Sequence, residues 1–441
     1  MSDDPTHPYE PNGGPPTAGI GEPGLPTIDT PSATQGLADQ QTAATGLGHS
    51  PHRGSAQSDI GSTIGPYTLV QVLGAGGFGE VYLARQTEPV RREVALKIIK
   101  LGMDTREIIA RFEAERQTLA RLDHPGVARV LDAGVTDSGR PYFVMDLVRG
   151  EAITTYCDRA RMGVHERIDL FQRVCDAIQH AHNKGIIHRD IKPGNVLVEE
   201  IDGRPAPRVI DFGIAKAIDP GVVDHTAFTI SGQMIGTPAY MSPEQTGLED
   251  IDIDTRSDVF SLGVLLYELL TGTTPLERSN LRTADFVAMR QLIREQEAPR
   301  PSTRLSTVGE SATGIAASRG LDPERLRTLL RGDIDWILMK ALEKDRERRY
   351  ATVNGLSADI GRYLRNEPVI ARPPSRVYAM RKFVRRNRVG VAAGAAVLLA
   401  TIAGATLATV GFVRASAERD RALAAEHDAR ANFDLARGAV D

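Results

Sequence analysis

The chain has 441 residues, of which 41% are hydrophobic and 25% charged, with a formal net charge of −4. Such proportions belong to a globular protein that carries some linker sequence, and the length allows one unit of about 250–300 residues with a substantial core. The slightly acidic balance argues against a general nucleic-acid binder. Only Cys157 and Cys175 are available as thiols, without metal-ligand spacing, so reduced structural thiols are expected rather than a disulfide or metal site. Residues 1–30 are acidic, rich in Pro and Gly and lack an apolar core, so no secretory signal is expected there.

Residues 1–62 hold few large apolar side chains and much Pro, Gly, Ser and Thr. They cannot bury enough apolar surface to offset ordering entropy, and a disordered tail is expected. Order is expected from about Tyr67. Strand-like runs cover Tyr67–Leu73 and Glu80–Arg85, with a Gly-rich turn between them. In Arg92–Lys100, Val94, Leu96 and Ile98 alternate with Ala95, Lys97 and Ile99, a third strand. A helix is expected over Thr105–Leu122, then strands over Val127–Leu131 and Pro141–Val148. From His165 onward helical patterns dominate: His165–Lys184, Ser257–Leu270, Thr283–Gln296 and Asp333–Lys344. Pro299–Gly320 has no periodicity and reads as an insertion loop. Three prolines within Asn366–Pro374 end this part of the chain.

Val389–Val413 then runs 25 positions without a charge, long enough to cross a bilayer as a helix; the alternative is a buried core helix. Arg381, Lys382, Arg385, Arg386 and Arg388 crowd its N-terminal flank, whereas the C-terminal flank mixes Arg414, Arg419 and Arg421 with Glu418 and Asp420. The positive-inside rule places the preceding globular part in the cytoplasm. Gly390 and Gly394 have the small-xxx-small spacing that supports helix pairing, a weak signal in an Ala/Gly-rich segment. The 28 residues from 414 to 441 read as a helix, too short for a folded sensor.

Four short motifs carry chemistry. Gly74, Gly76 and Gly79 form G-x-G-x-x-G, whose backbone approaches phosphate oxygens closely. A strand (Val81-Tyr82-Leu83) follows rather than a helix, so the loop reads as a hairpin flap and not as a dinucleotide-binding turn. Lys97, in Val94-Ala95-Leu96-Lys97, lies 18 residues past the last of these glycines, on the next strand, within reach of nucleotide phosphates. Its carboxylate partner is expected on the following helix, Glu115 first and Glu113 as the alternative. His188-Arg-Asp-Ile-Lys-Pro-Gly-Asn195 offers a carboxylate for an acceptor hydroxyl (Asp190), a cation (Lys192) and a metal-binding amide (Asn195). Asp211-Phe-Gly213 offers a second metal ligand, Asp211.

In this order and spacing the motifs resemble the protein-kinase superfamily, more closely the eukaryotic-like Ser/Thr kinases of bacteria, over about residues 67–365. The resemblance implies an α+β bilobal fold, with a β-rich N-lobe and a helical C-lobe. Together with the composition read above, this divides the chain into a tail (1–62), a kinase domain (67–365), a basic juxtamembrane segment (366–388), a transmembrane helix (389–413) and a short extracytoplasmic helical tail (414–441). It implies transfer of the ATP γ-phosphoryl group to Ser or Thr hydroxyls of protein substrates. Asp190 and Lys192 would be catalytic and Asn195 and Asp211 would hold Mg²⁺. Leu73, Gly74, Gly76, Gly77, Phe78, Gly79, Val81, Ala95, Lys97, Glu115, Met145 and Val148 would bind ATP, Met145 as gatekeeper and Asp146–Val148 as hinge. Lysine in Asp190-Ile-Lys192 is the family's Ser/Thr mark. Gly236-Thr-Pro-Ala-Tyr240 looks like the substrate loop. Ser242-Pro-Glu244 replaces the usual alanine by serine; Glu244 would pair with Arg349, and Asp258 would anchor the catalytic loop. Arg189 implies control by phosphorylation of the activation segment Asp211–Glu244, at Thr229, Ser231 or Thr226. A membrane-tethered pseudokinase scaffold is the other function class. It is disfavoured because Lys97, Asp190, Asn195 and Asp211 are all retained. Homodimerisation through the span and an inner-membrane location with a cytoplasmic kinase domain complete these expectations.

Overall fold

A computed structural model describes residues 59–76, 79–99, 121–212, 238–246 and 253–438. The N-terminal lobe is a six-stranded antiparallel sheet of β1 (Thr63–Ile64), β2 (Tyr67–Gly76), β3 (Gly79–Gln86), β4 (Arg92–Ile99), β5 (Val130–Val135) and β6 (Pro141–Asp146), ordered β1-β2-β3-β4-β6-β5. Order therefore starts upstream of Tyr67: Thr63 and Ile64 pair with Thr68 and Tyr67. Both strands extend farther into the glycine motif than their apolar runs. β2 runs through Gly74 to Gly76, and β3 starts at Gly79. The fifth strand starts later than its apolar run. Val127 is instead drawn into a parallel bridge with Val209.

The two-residue alternation of β4 builds both faces of this sheet. Val94, Leu96 and Ile98 join Tyr67, Leu69, Tyr82, Ala84, Tyr142 and Val144 in a small core of the N-lobe. Ala95 and Ile99 point the other way, with Phe143 and Met145, into the large core continuous with the C-lobe. Lys97 lies between Ala95 and Ile99 and so shares that second face. Close contact between β3 and β4 demands glycine at 79, where a Cβ would lie 2.2 Å from the Ile98 carbonyl oxygen.

The C-lobe opens with β7 (Glu151–Ala152), α1 (Ile153–Arg159) and α2 (Val164–Asn183); β8 (Val196–Ile201) and β9 (Arg204–Val209) then complete a three-stranded sheet with β7. Helix α3 (Arg256–Thr271) is buried along almost its whole length and forms the centre of the lobe. Around it stand α4 (Arg278–Thr283), α5 (Phe286–Glu295), α6 (Pro301–Thr307), α7 (Ser311–Ala317), α8 (Pro323–Leu330), α9 (Asp333–Ala341) and α10 (Val353–Leu364). The helix expected over Thr283–Gln296 is α5, which starts later, at Phe286, where the Asp285 carboxylate accepts the Ala288 N–H at 2.8 Å and caps it. Cys157 and Cys175 are free and buried, and burial pushes the Cys157 thiol up to about 11, which makes it inert.

Pro299–Gly320 is not a loop. It forms α6 and α7, whose buried residues (Leu305 and Ala316 among them) are too sparse to show a period. Polar bonds compensate. Ser302 donates its N–H and its hydroxyl to Asp335 at 3.0 and 2.7 Å. Arg319, just past α7, donates to the Leu269 and Leu270 carbonyls at the end of α3, satisfying acceptors that the helix end leaves open.

After α10 the chain is tied down before it leaves the lobe. Asp359 is fully buried and accepts the Ile370 N–H at 2.6 Å, the Ala371 N–H at 2.8 Å and the Tyr350 hydroxyl at 2.9 Å. Beyond it come α11 (Arg376–Arg386) and α12 (Arg388–Gly438). The expected helix over Thr105–Leu122 lies outside the described residues save Arg121 and Leu122, of which Leu122 is buried. Replacing Asp359 by Ala strands three donors and is expected to cost about 3 kcal/mol. Denaturant unfolding checks the cost. Hydrogen exchange should show Ile370 and Ala371 losing protection while the α3 amides keep theirs.

Candidate active site

The residues singled out in the second, third and fourth motifs meet in two adjoining clusters. In one, Lys97 on β4 forms an ion pair with Asp211. In the other, the Asp190 carboxylate accepts the Lys192 ammonium at 2.7 Å and the Asn195 amide at 3.0 Å. Asn195 also donates to the Asp190 carbonyl at 2.7 Å. The clusters are joined through backbone: the Asn195 carbonyl accepts the Ile210 N–H at 2.9 Å, one residue before Asp211. A strand pairing thus sets the register between Asn195 and Asp211.

Both loops take backbone conformations that ordinary residues avoid. Arg189 has φ 63° and Asp211 φ 58°, each costing roughly 1–3 kcal/mol unless its surroundings over-determine it. For Arg189 the surroundings are the buried Asp258 carboxylate. It accepts the backbone N–H of His188 at 2.8 Å and of Arg189 at 2.9 Å, and is bonded to His182 Nε2 at 2.7 Å. The Arg189 carbonyl in turn accepts the Gln245 side-chain amide at 2.7 Å. His188 closes the other side, bonded through Nε2 to the Ile210 carbonyl at 3.2 Å, its ring 4.6 Å from that of Phe212.

Charges in this scaffold are balanced. Burial alone would push the Asp258 carboxyl up; the His182 bond, the nearby His188 and its N–H more than offset this and hold it below the usual range. Burial pushes the His188 imidazole down. Glu244 and Arg349 form a bidentate pair at 2.7 and 2.8 Å, reinforced by the Ser257 hydroxyl at 2.6 Å. Burial raises Glu244, but these bonds win and lower it. The serine at 242 is accommodated. It is buried, and its N–H and hydroxyl both reach Gln245 Oε1, at 3.0 and 3.2 Å.

The other predicted ligand residues line the face described for β4. Val81, Lys97 and Phe143 stand side by side across β3, β4 and β6, and Ala95 faces Met145. Asp146 is held by Arg129, whose N–H and Nε each lie 3.2 Å from its carboxylate. Leu73 is exposed and Val148 half-buried. A Cβ built at Gly74 or Gly76 meets nothing within 4 Å, so their side of the hairpin is open, unlike Gly79. Gly77, Phe78, Glu113, Glu115, Thr226, Thr229 and Ser231 lie outside the described residues. Sequence reasoning missed His182 and Gln245. His182 sits on a regular helix face, and Gln245 merely follows a motif; neither carries a signal of its own.

Glu244 and Asp258 have folded-state carboxyl pKa values below their unfolded ones. They add stability above the unfolded values, about 4, and that stability is lost as pH falls through the lower folded values. Urea unfolding of Glu244→Gln should therefore show a shallower decline than wild type between about pH 5 and 3. Identical slopes would contradict the assigned shift.

A family model described as "Protein kinase domain" matches residues 67–358. The chain is 34% identical over 308 residues to the serine/threonine-protein kinase PknB of Mycobacterium leprae, covering 68% of this chain and 43% of that protein. It is 30% identical over 320 residues to the serine/threonine-protein kinase Pkn1 of Myxococcus xanthus, covering 71% and 41%. It thus spans less than half the length of these relatives. Among solved structures, the PknI kinase domain of Mycobacterium tuberculosis (a C20A_R136A double mutant) aligns at 27% identity with a TM-score of 0.49, covering 68% of this chain and 97% of that one. With two thirds of its length matched by one family model, this chain belongs to the protein kinase family.

Proposed function

We propose that the chain is an active ATP-dependent protein serine/threonine kinase, anchored in a membrane by α12. The observation that carries the enzymatic reading is the convergence on one base, Asp190, of Lys192 and Asn195, beside the Lys97–Asp211 pair. Asp190 orients a substrate Ser or Thr hydroxyl and takes its proton as the oxygen bonds to the γ-phosphorus. The bond from that phosphorus to the β,γ-bridging oxygen breaks, and ADP leaves. Lys192 offsets charge on the group in transit, while Lys97 and the glycine hairpin, with Ala95, Val81 and Met145 against the base, position ATP. Catalysis of this kind is mostly positioning and charge neutralisation.

Kinases use a divalent cation, and Mg²⁺ suits the donors present. The amide nitrogen of Asn195 is spent on Asp190, which leaves its Oδ1 as an acceptor, and Asp211 engages Lys97 through Oδ1 only. Two hard oxygens match the few protein ligands Mg²⁺ takes beside phosphates and water. When bound, the cation neutralises phosphate charge.

The domain limits proposed are those of the sequence: kinase domain 67–365, juxtamembrane 366–388, span 389–413. In support of the span, α12 is the one helix among the described residues long and apolar enough to cross a membrane, and none of its most apolar window is buried against the protein. A core helix would be covered. The charge bias then puts the kinase domain on the cytoplasmic side. Gly390 and Gly394 are the proposed contact for a dimer, and Thr226, Thr229 and Ser231 the sites where phosphate meets Arg189.

Asp190→Asn and Lys97→Met are each expected to abolish autophosphorylation with labelled ATP while leaving the unfolding midpoint near wild type; activity surviving in either purified protein would overturn the assignment. Mass spectrometry of the active protein should find phosphate on Thr226, Thr229 or Ser231, and an unmodified segment in a fully active protein would remove the regulatory reading.

A further inference from the structure

Helix α11 has two opposite sides, and only one is used by the kinase domain. Tyr378, Lys382 and Arg386 follow at four-residue steps and face the lobe. The Tyr378 hydroxyl donates to Asp333 at 2.9 Å and accepts the Val369 N–H at 3.2 Å. Lys382 reaches the same Asp333 at 2.5 Å, and Arg386 lies 3.7 Å from Glu367. Asp333 occupies the first turn of α9, where a carboxylate is favoured. At about 100° per residue, Val377, Met380, Phe383 and Val384 centre about 170° away from that stripe. Their exposures are 80%, 63%, 50% and 39%. Four neighbouring apolar side chains on a short helix are thus presented to the surroundings.

The charges around this stripe are of one sign. From Pro368 to Arg388 there are seven basic residues and no acidic one. Arg372, Lys382 and Arg386 are directed to Asp333 and Glu367. Arg376, Arg381, Arg385 and Arg388 make no ion pair among the described residues. Arg381 borders the apolar stripe, Arg385 lies between it and the lobe-facing side, and Arg376 and Arg388 stand at its two ends. Only Asn387, at φ −111° and ψ 40°, separates α11 from α12, whose residues 389–413 carry no charge.

We propose that α11 is an interfacial helix lying in the headgroup layer of an anionic bilayer, with Val377, Met380, Phe383 and Val384 in the acyl boundary. Arg376, Arg381, Arg385 and Arg388 meet lipid phosphates. The proposal rests on α12 crossing that bilayer, and continuity with α12 is what commits the face to lipid: a helix that ends two residues before the span has its C-terminal end at the interface. A basic helix with one apolar stripe has the composition that binds there. Because the opposite stripe is bolted to Asp333, and the preceding segment to Asp359, the helix holds the kinase domain in a defined orientation on the membrane instead of on a free tether.

The test uses the full chain in nanodiscs of phosphatidylcholine, with or without phosphatidylglycerol. Nitroxide labels are placed singly by Val384→Cys, Ala400→Cys in the span and Ser311→Cys on exposed α7; the native cysteines are buried, and labelled wild type is the blank. Relaxation by oxygen against a water-soluble nickel chelate reads depth. The expected result is an oxygen-to-nickel ratio at 384 several-fold above that at 311 and below that at 400, which falls when phosphatidylglycerol is omitted or Arg381 and Arg385 are changed to Glu. A water-like ratio at 400 would sink the span reading itself. A lipid-like 400 with a water-like 384 would overturn this proposal alone. So would dipolar broadening between labels at 384, which would assign the face to a second copy, or a ratio indifferent to phosphatidylglycerol and to the Arg→Glu changes.

Discussion

The site depends on one buried carboxylate. Asp258 lies on α3, the most enclosed helix, and grips two consecutive backbone N–H groups of the segment that carries Asp190. An ionised group without water is costly unless its oxygens are fully bonded, and here His182 supplies the third donor. The bonds that stabilise the buried charge are the same bonds that hold Arg189 in its left-handed conformation and turn Asp190 toward Lys192 and Asn195. Through Gln245 the same turn reaches the segment around Glu244, which Arg349 locks to the end of the lobe. The base is therefore placed by the C-lobe core, with little dependence on the lobe above it.

Lys97 is placed by a different rule. β4 sends alternate residues to two cores, and Lys97 takes the register of Ala95 and Ile99. A slip of one residue would turn it into the small N-lobe core. Its pairing with Asp211 therefore links the register of one sheet to the strand-end geometry of another, where Ile210 bonds to Asn195. Both lobes are required because Lys97 stands on the N-lobe sheet, whereas Asp211, Asp190 and Asn195 stand on C-lobe loops.

What was legible in the sequence follows from this. Lys97, Asp190, Asn195 and Asp211 stand in short motifs whose spacing reflects strand and turn geometry, so their convergence was expected. The Glu244–Arg349 pair was expected too, from the resemblance. His182 and Gln245 were not, because their partners lie 76 and 56 residues away along the chain and neither residue breaks its local pattern. Pro299–Gly320 was misread because its helices are short and held by Ser302–Asp335 and by Arg319 on α3 carbonyls, interactions that leave no hydrophobic period. The glycine motif reads as a hairpin turn between two strands, and those strands reach farther than their apolar runs, to Gly76 and Gly79, because side-chain pattern does not mark where backbone pairing of glycines ends.

The most direct measurement is phosphoproteomics of cells carrying the wild-type chain against cells carrying Asp190→Asn. The account predicts a set of phosphoserine and phosphothreonine sites, on other proteins as well as on this chain, that is present only with the wild type. Indistinguishable phosphoproteomes, with both proteins folded and equally abundant, would contradict it.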